Sequence, residues 1–195
     1  MPPCPALETA RLLLRPVTLD DAPAIQRIFP QWEIVRHLAA RVPWPYPADG
    51  AFSHLRDHVL PGVAAGTHWC WSIRRRGAPE TLIGLIDLRS GPDDNRGFWL
   101  DPAWQGRGYM SEASEIVTDY WFDHLGMARL RVPKARANIA SVRISRRQGM
   151  RVIATLEKDY VGGRMPSDIW EITAAEWRAR RRTGEAPFPH LHMGD

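Results

Sequence analysis

The first third of the chain has one strand pattern followed by two helical patterns. Apolar residues dominate Arg11–Val17, which is typical of a short strand. Thr18 precedes two aspartates, a composition typical of a helix N-terminus, and the predicted helix continues to Phe29 before a proline ends it. Three prolines within residues 40–48 predict an extended loop, and a second helix is expected over Ala48–Ala64.

After this point the pattern changes to short strands. Three strand-forming runs, separated by turns rich in Gly, Pro and Asp, predict an antiparallel meander. The predicted strands are Trp69–Ile73, Thr81–Leu88, Arg96–Leu100, Leu130–Pro133, Val152–Tyr160 and Asp168–Thr173, and the predicted helices are Gly108–Leu125 and Asn138–Gln148. Together the elements predict an α+β fold in which four helices flank a mixed central sheet of about seven strands.

Length and composition indicate one globular domain. The chain has 195 residues, of which 44% are hydrophobic and 25% are charged. We expect the domain to span residues 1–182 and an irregular tail to occupy residues 183–195. No apolar run approaches the roughly 20 residues that span a bilayer, so no membrane partner is expected. A formal net charge of +4 suits an anionic ligand but is small for a nucleic-acid-binding protein.

Neither the cysteines nor the histidines indicate a metal or disulfide framework. Cys4 and Cys70 are too few for a disulfide scaffold or a cysteine-rich zinc site. His54 and His58 have a metal-compatible spacing, but no third ligand is suggested, so a pair on a helix surface is favoured and no metal is expected. The N-terminus has no basic-then-apolar signal segment, which favours a cytoplasmic location.

The most informative segment is WLDPAWQGRGYMSEA, residues 99–113. A predicted strand ends at Asp101, and the tight loop of residues 105–108 leads directly into a long helix. Glycines allow backbone N–H groups to converge without obstruction by Cβ, and the helix start adds unpaired donors and a positive dipole end. Such a loop can hold a pyrophosphate. Taken alone, the same pattern more often marks an ordinary turn between a strand and a helix.

This loop resembles the acetyl-CoA-binding motif of the GNAT N-acetyltransferases. The residues that match the motif are Gln105, Gly106, Arg107, Gly108 and Tyr109. Met110 departs from it, since a small residue is usual there. The blocks LETARLLLRPVTLDDA (7–22), LIGLIDL (82–88) and ANIASVRISRRQGMR (137–151) also resemble the ribosomal-protein N-terminal (Rim-type) branch, in the same order. The resemblance covers about residues 7–178.

The resemblance implies a three-layer sandwich that binds acetyl-CoA as a co-substrate. The implied CoA-binding residues are Trp99, Leu100, Gln105, Gly106, Arg107, Gly108, Tyr109, Met110, Asn138, Ser141 and Arg147. It also implies that the sheet opens beside Leu130–Pro133 to admit the pantetheine arm. A backbone N–H near Trp99 or Leu100 is then the candidate donor to the oxyanion.

Asn138 and Ser141 stand three residues apart at a predicted helix start, so both can face the same side. Asn is a favoured N-cap, and the pair can therefore serve as a cap, a ligand site or both. In the resembled family this Asn contacts the pantetheine arm and this Ser lies near the sulfur. Many relatives place a tyrosine acid where Ser145 stands here, so we expect Ser141 to donate to the departing thiolate.

Candidate general bases are less specific. Asp87 stands at a strand end that faces the expected cleft, although a surface or turn-capping aspartate fits the pattern as well. Asp93 and Asp94 lie in a turn, where aspartate is common for local reasons. Dipole stabilisation explains Glu112 at the start of a helix. Asp168 matches a residue of the Rim-type branch and is expected to order the adjoining turn.

Aromatic and arginine-rich segments suggest contacts with partners. Trp32, Trp44 and Tyr46 flank the proline-rich loop, where the resembled family builds its acceptor pocket, and packing of that loop is the alternative. Arg178–Arg182 could contact nucleic acid or an acidic partner, but a charged end without a ligand is more common. The apolar surface expected around these loops, and dimers in the resembled branch, favour a homodimer.

The leading functional hypothesis is an acetyl-CoA-dependent N-acetyltransferase that acts on the N-terminal α-amine of a protein. One alternative is an enzyme that acetylates a small amine such as an aminoglycoside, a polyamine or an amino acid. The other is a non-catalytic acyl-CoA-binding module, which the serine at the usual tyrosine position keeps open.

Overall fold

The computed structural model describes residues 4–183, whose strands form two sheets. The strands are β1 Leu7–Glu8, β2 Leu12–Pro16, β3 His68–Arg75, β4 Ala78–Arg89, β5 Arg96–Leu100, β6 Arg129–Ala135, β7 Arg151–Tyr160 and β8 Gly163–Thr173. The first sheet has the order β1-β2-β3-β4-β5, and the second has the order β6-β8-β7. Neighbouring strands within each sheet pair antiparallel.

Seven α-helical segments lie within the described residues. They are α1 Ala22–Ile28, α2 Trp32–Val35, α3 Gly50–His54, α4 Leu60–Ala64, α5 Tyr109–Asp119, α6 Ile139–Arg147 and α7 Ala174–Arg182. A π-helical turn, Leu55–Val59, joins α3 to α4, and another, Tyr120–His124, extends α5. The predicted helix over Ala48–Ala64 is therefore present as α3, the π-helical turn and α4.

The first sheet separates two hydrophobic cores, as strand β3 illustrates. Trp69 and Trp71 belong to the core that contains α5, whereas Cys70 belongs to the core that contains α1 and α3. Successive side chains of a strand point to opposite faces of the sheet, so one strand contributes to both cores. The sheet thus lies between two helical layers, which is the expected three-layer sandwich.

The α+β class is confirmed, while the number of elements differs from the prediction. Eight strands in two sheets replace the expected single sheet of about seven strands. The additional elements β1 and α2 are two and four residues long, too short for periodicity to reveal. The other addition is the last helix, α7.

The arginine-rich segment predicted as a charged end is this helix, α7. Thr173 caps it, and the side chain of Glu176 completes a capping box with Thr173. Trp177 is fully buried, and its Nε1 donates to Asp119 Oδ1 at 2.9 Å. A buried tryptophan with a hydrogen-bonded indole fixes the helix against α5.

Most arginines of α7 form ion pairs with other residues of this chain. Three of them form ion pairs with carboxylates of α5 or of the π-helical turn after it. The pairs are Arg178–Asp123 at 3.2 Å, Arg180–Glu115 at 2.9 Å and Arg181–Asp119 at 2.7 Å. This charge therefore stabilises the docked helix, which removes most of the support for a nucleic-acid contact at this segment.

Two further expectations concern the ends of the chain and the membrane. The tail predicted over residues 183–195 lies outside the described residues except for its first residue, so the domain limits of 1–182 stay a prediction. Between residues 4 and 183, no helix has both the length and the apolar character that crossing a membrane requires.

Candidate active site

Within residues 4–183, one backbone hydrogen bond joins the two sheets, and beyond it the sheets separate. The N–H of Asn95 donates to the carbonyl of Arg131, and the N–H of Arg131 donates to Asn95 Oδ1, both at 2.8 Å. Beyond this contact the described parts of β5 and β6 share no ladder. The expected opening beside Leu130–Pro133 is thus present, with one edge of β5 left unpaired.

Alternation along β5 determines which amides face this opening. The N–H of Asp101 donates to the carbonyl of Ile83 at 2.9 Å, and Trp99 is the register partner of Leu85. Amides of an antiparallel strand point alternately to one neighbour and to the other side. The Trp99 amide therefore faces β4 and the Leu100 amide faces the opening, which favours Leu100 as the donor to an oxyanion.

The glycine loop connects the end of β5 to α5. Gly106 and Gly108 adopt φ angles of 75° and 80°, the left-handed region that favours glycine. The Gln105 side chain donates to the Leu100 carbonyl at 2.9 Å and so ties the loop to the strand. Among the described residues, the amides of Gly106–Met110 have no hydrogen-bond partner. Free amides at a helix N-terminus can bind an anion such as a pyrophosphate.

A buried carboxylate of α5 holds the loop to the N-terminal strands. Glu112, which has no exposed surface, accepts from the backbone N–H and Nε of Arg11 at 3.0 and 2.6 Å and from the hydroxyl of Thr9 at 2.5 Å. Arg11 Nη1 in turn donates to the carbonyl of Arg107 at 3.0 Å. Stabilisation of the helix dipole is therefore not the only role of Glu112, because its side chain also positions the glycine loop through Arg11.

Cationic side chains stack on aromatic rings around the loop. The guanidinium carbons of Arg75 and Arg107 lie 4.1 and 4.9 Å from the ring centroid of Trp104. Arg11 lies 4.7 Å from the ring centroid of Tyr109. The positive charge gathered here complements a diphosphate.

Two of the predicted CoA-binding residues differ from the rest in their surroundings. Met110, at the position where a small residue is usual, is buried in the core that contains α5, and this accounts for its apolar side chain. Arg147 is exposed in the last turn of α6 and has no ion pair within the described part of the chain. The role of Arg147 as a CoA ligand stays a prediction.

Asn138 and Ser141 are brought together at the start of α6, as predicted. Asn138 Oδ1 accepts from the backbone N–H of Ser141 at 3.1 Å, which makes Asn138 the N-cap. The Ser141 hydroxyl has no part in this cap and instead accepts from Lys134 Nζ at 2.5 Å. Ser145 is fully buried on the same helix, and its hydroxyl oxygen has no partner among the described residues.

Asp87 lies on β4 across from β5 and belongs to a charged cluster. Its carboxylate is 2.9 Å from both His68 Nε2 and Arg89 Nε. A Cβ at Gly97 on β5 would meet Asp87 Oδ1 at 2.5 Å, so only glycine leaves room for this carboxylate. Burial alone would raise the pKa of Asp87, but the charge of Arg89 and the hydrogen bond from His68 lower the pKa overall. The assignment of Asp87 as a general base stays a prediction.

The other acidic candidates take part in ion pairs. Asp93 pairs with Arg131 at 3.2 Å, and Asp94 approaches Arg41 and Arg89 at 3.4 Å. Asp168 lies inside β8 rather than in the turn before it, because that strand begins five residues earlier than predicted, at Gly163. It accepts from Arg136 Nε at 2.8 Å. These pairings give each carboxylate a structural role.

Aromatic residues on the α1 side connect β5 with the proline-rich loop. The ring centroid of Phe29 lies 5.4 Å from the ring centroid of Trp99 and 4.9 Å from that of Tyr46. Trp32 and Trp44 lie 5.7 Å apart, and each remains 43% exposed. Tyr46 thus packs inward, whereas the two tryptophans offer an accessible apolar surface.

The histidine pair does not extend into a metal site. The rings of His54 and His58 lie 5.7 Å apart, as expected for neighbours on one helix face. Within residues 4–183, no three His, Cys, Asp or Glu side chains come together as metal ligands.

Comparison with known proteins identifies the family and the fold of this chain. The family model for the acetyltransferase (GNAT) domain matches residues 11–151. The chain belongs to the GNAT acetyltransferase family. This GNAT protein is 31% identical over 150 residues to YoaA, an uncharacterised N-acetyltransferase of Bacillus subtilis, with 74% of this chain and 82% of YoaA covered. The protein is accordingly an acyltransferase, as expected.

Solved structures show the same fold. Mycobacterium smegmatis RimJ in complex with CoA-disulfide superposes on this GNAT protein with a TM-score of 0.76 at 16% identity, covering 93% of this chain and 96% of RimJ. The ribosomal-protein-S5-alanine acetyltransferase of Vibrio fischeri gives a TM-score of 0.74 at 15% identity, covering 88% of this chain and 98% of that one. At these identities the similarity shows the fold alone. The proteins that share this fold include the expected Rim-type enzymes.

Several residues of this GNAT site are not evident from the sequence. Arg11 and Glu112 are 101 positions apart, so no local pattern links them. Asn95 resembles an ordinary turn residue, and Lys134 resembles a strand residue on a surface. The only local signal for Lys134 is its spacing, since it follows Leu130 and Val132 at every second position of the strand segment LRVPKA.

Proposed function

We propose that this GNAT enzyme uses acetyl-CoA to acetylate the N-terminal α-amine of a protein. The observation that carries the proposal is the succession of an unpaired strand edge, a loop with free amides and a helix N-terminus. These features provide donors along one path, from the amides of Gly106–Met110 to the amide of Leu100. The complex of the similar RimJ with CoA-disulfide supports the same co-substrate here.

Each part of this path suits a different part of acetyl-CoA. The free amides of Gly106–Met110, with Arg11 and Arg107 beside them, suit the pyrophosphate. Asn138 stays available through its side-chain N–H₂ group, since only its oxygen serves the helix cap. The Leu100 amide suits the carbonyl oxygen of the thioester, which becomes an oxyanion during transfer.

An α-amine is the acceptor that requires the least help from a base. Its pKa of about 7.7–8.0 leaves a sizeable neutral fraction near pH 7, whereas a lysine amine has a pKa of about 10.4. The described carboxylates near the site are held by arginines or by His68, so a strongly acidic pocket for a polycationic acceptor is not supported. The exposed Trp32 and Trp44 suit a peptide segment.

Acceptor profiling tests this proposal. Purified protein is incubated with acetyl-CoA and one of four acceptors: a peptide with a free N-terminus, the same peptide with a blocked N-terminus and an internal lysine, a polyamine, or an aminoglycoside. Release of free thiol gives the rate, and mass spectrometry locates the acetyl group. We expect turnover with the free α-amine alone. Preference for a small amine supports the small-molecule alternative, and CoA binding without any turnover supports the binding module.

Three further assignments belong to the same proposal. Asp87 serves as a base toward the acceptor through a water molecule, with His68 supporting its carboxylate. The protein is active in the cytoplasm as a homodimer. Sedimentation at micromolar concentration tests the last point, because a species of only 22.2 kDa would contradict a dimer.

A further inference from the structure

Lys134 lies where the two sheets part, and its side chain crosses the gap between them. The residue belongs to β6 and is only 6% exposed. Its Nζ lies 4.7 Å from the ring centroid of Phe98 on β5 and 2.5 Å from Ser141 Oγ on α6. The ammonium group therefore reaches the one hydroxyl that is expected beside the sulfur.

Among the carboxylates of residues 4–183, none forms an ion pair with this ammonium. Asp168 is the register partner of Lys134 on β8, but its carboxylate accepts from Arg136 and from Thr155. Burial, and then the positive charge of Arg96 on β5, hold the pKa of Lys134 well below its ordinary value, while Asp94 acts in the opposite direction. A buried ammonium of this kind gives up a proton more readily than one in water.

The choice of lysine at this position is informative in an arginine-rich chain. Of 26 lysine and arginine residues, only Lys134 and Lys158 are lysines. A guanidinium stays protonated in proteins, whereas a buried ammonium can titrate and transfer a proton. Arginine would provide the positive charge here but could not provide the proton.

Ser141 is free to pass a proton on. Its backbone N–H makes the helix cap with Asn138, and its oxygen accepts from Lys134, which leaves the hydroxyl hydrogen available. Ser145, at the position of the usual tyrosine, has a buried hydroxyl without a partner among the described residues and presents no comparable donor pair.

We propose that Lys134 and Ser141 form a proton-donating pair for the departing thiolate, a proposal that rests on the acetyl transfer proposed above. The acceptor nitrogen forms the new C–N bond, and the C–S bond breaks with both electrons passing to sulfur. Sulfur takes the hydroxyl proton of Ser141, whose oxygen takes a proton from Lys134. The proton of the acceptor nitrogen leaves to water, and solvent reprotonates Lys134 after the thiol departs.

The test compares Lys134→Met with wild type and with Lys158→Met, a matched change at the half-buried lysine of β7. We expect Lys134→Met to lower kcat on the order of 100-fold while the Kd of CoA changes little. Wild-type kcat should decline as pH rises through the pKa of Lys134, because the neutral amine has no proton to donate. Lys134→Met should lose this decline, and Lys158→Met should retain it.

Ser141→Ala keeps the test decisive if Lys134→Met does not fold, because the Asn138 cap uses only the backbone of Ser141. We expect the same loss of kcat, with no further loss in the double variant. Wild-type turnover in either variant, or a lower kcat with an unchanged pH profile, overturns the pair. Acetylation of Lys134 seen in the intact protein would also overturn it. A wild-type protein that does not bind CoA overturns the proposed function itself.

Discussion

Replacing Gly106 by alanine adds one methyl group to the glycine loop without a clash inside the protein. A Cβ at Gly106 has no heavy atom within 4 Å, and the residue has a φ of 75°. Alanine in this left-handed conformation costs roughly 1–2 kcal/mol in the free energy of unfolding. We expect the methyl group to keep a pyrophosphate oxygen from at least one free amide of the loop.

The magnitude follows from the loss of one charge-assisted hydrogen bond. Such a bond contributes about 1.5–3 kcal/mol, which corresponds to a Kd for CoA that is about 10–150-fold weaker. Isothermal titration of CoA into the wild type and the variant measures this change. Thermal denaturation of the same samples measures the cost of the backbone strain separately.

Gly126→Ala is the matched control. Gly126 has a φ of 67°, and a Cβ there also has no heavy atom within 4 Å. It follows the π-helical turn after α5, roughly 24 Å from the loop along the helix axis. Both variants should lose similar stability, but only Gly106→Ala should lose CoA affinity. Equal CoA affinity in the two folded variants would refute the assignment of the loop as the pyrophosphate site.

Four further outcomes are expected. Trp177→Phe removes the hydrogen bond to a buried carboxylate and should lower the free energy of unfolding by about 1.5–3 kcal/mol, measured in urea, with CoA affinity retained. Asn138→Ala should cost about 1 kcal/mol through the lost cap, visible as a Tm lower by about 2–4 °C. Asp87 has a lowered pKa in the folded state, so it stabilises the fold above the ordinary value of about 3.9. The stability difference between wild type and Asp87→Asn should therefore be present at neutral pH and shrink as pH falls below about 4, in urea titrations across that range. Trp44→Ala should raise KM for a peptide acceptor and leave KM for acetyl-CoA unchanged in steady-state assays.

Elements specified by local patterns are predictable from the sequence. The strand, loop and helix succession of β5 and α5 follows from a short apolar run, two glycines and helical spacing, all within about 30 residues. The N-cap at Asn138 is equally local. Helix α7 does not follow from a hydrophobic pattern, because its residues are mostly charged and its stability comes from contacts with α5, although Thr173 and Glu176 form a recognisable capping box.

Features that depend on distant contacts were not predictable in the same way. The parting of β5 from β6 follows the pairing of Asn95 with Arg131, which are 36 positions apart. The family motif predicts which residues bind CoA, but neither the support of the loop by Glu112 nor the approach of Lys134 to Ser141 follows from a local pattern. Such contacts are created by the tertiary fold, so residue spacing gives no direct signal for them.

The docking of α7 onto α5 has a consequence for the order of events during synthesis. Glu115 and Asp119 are buried on α5, yet their partners Arg180 and Arg181 come 65 and 62 positions later in the chain. While that later segment is still inside the ribosome, Glu115 and Asp119 lack their ion pairs with the arginines of α7, and the groove that Trp177 fills is open. A nascent chain should thus contain the glycine loop before α5, which follows it, is held rigidly. Such a chain should acquire full affinity for CoA only after α7 emerges and docks.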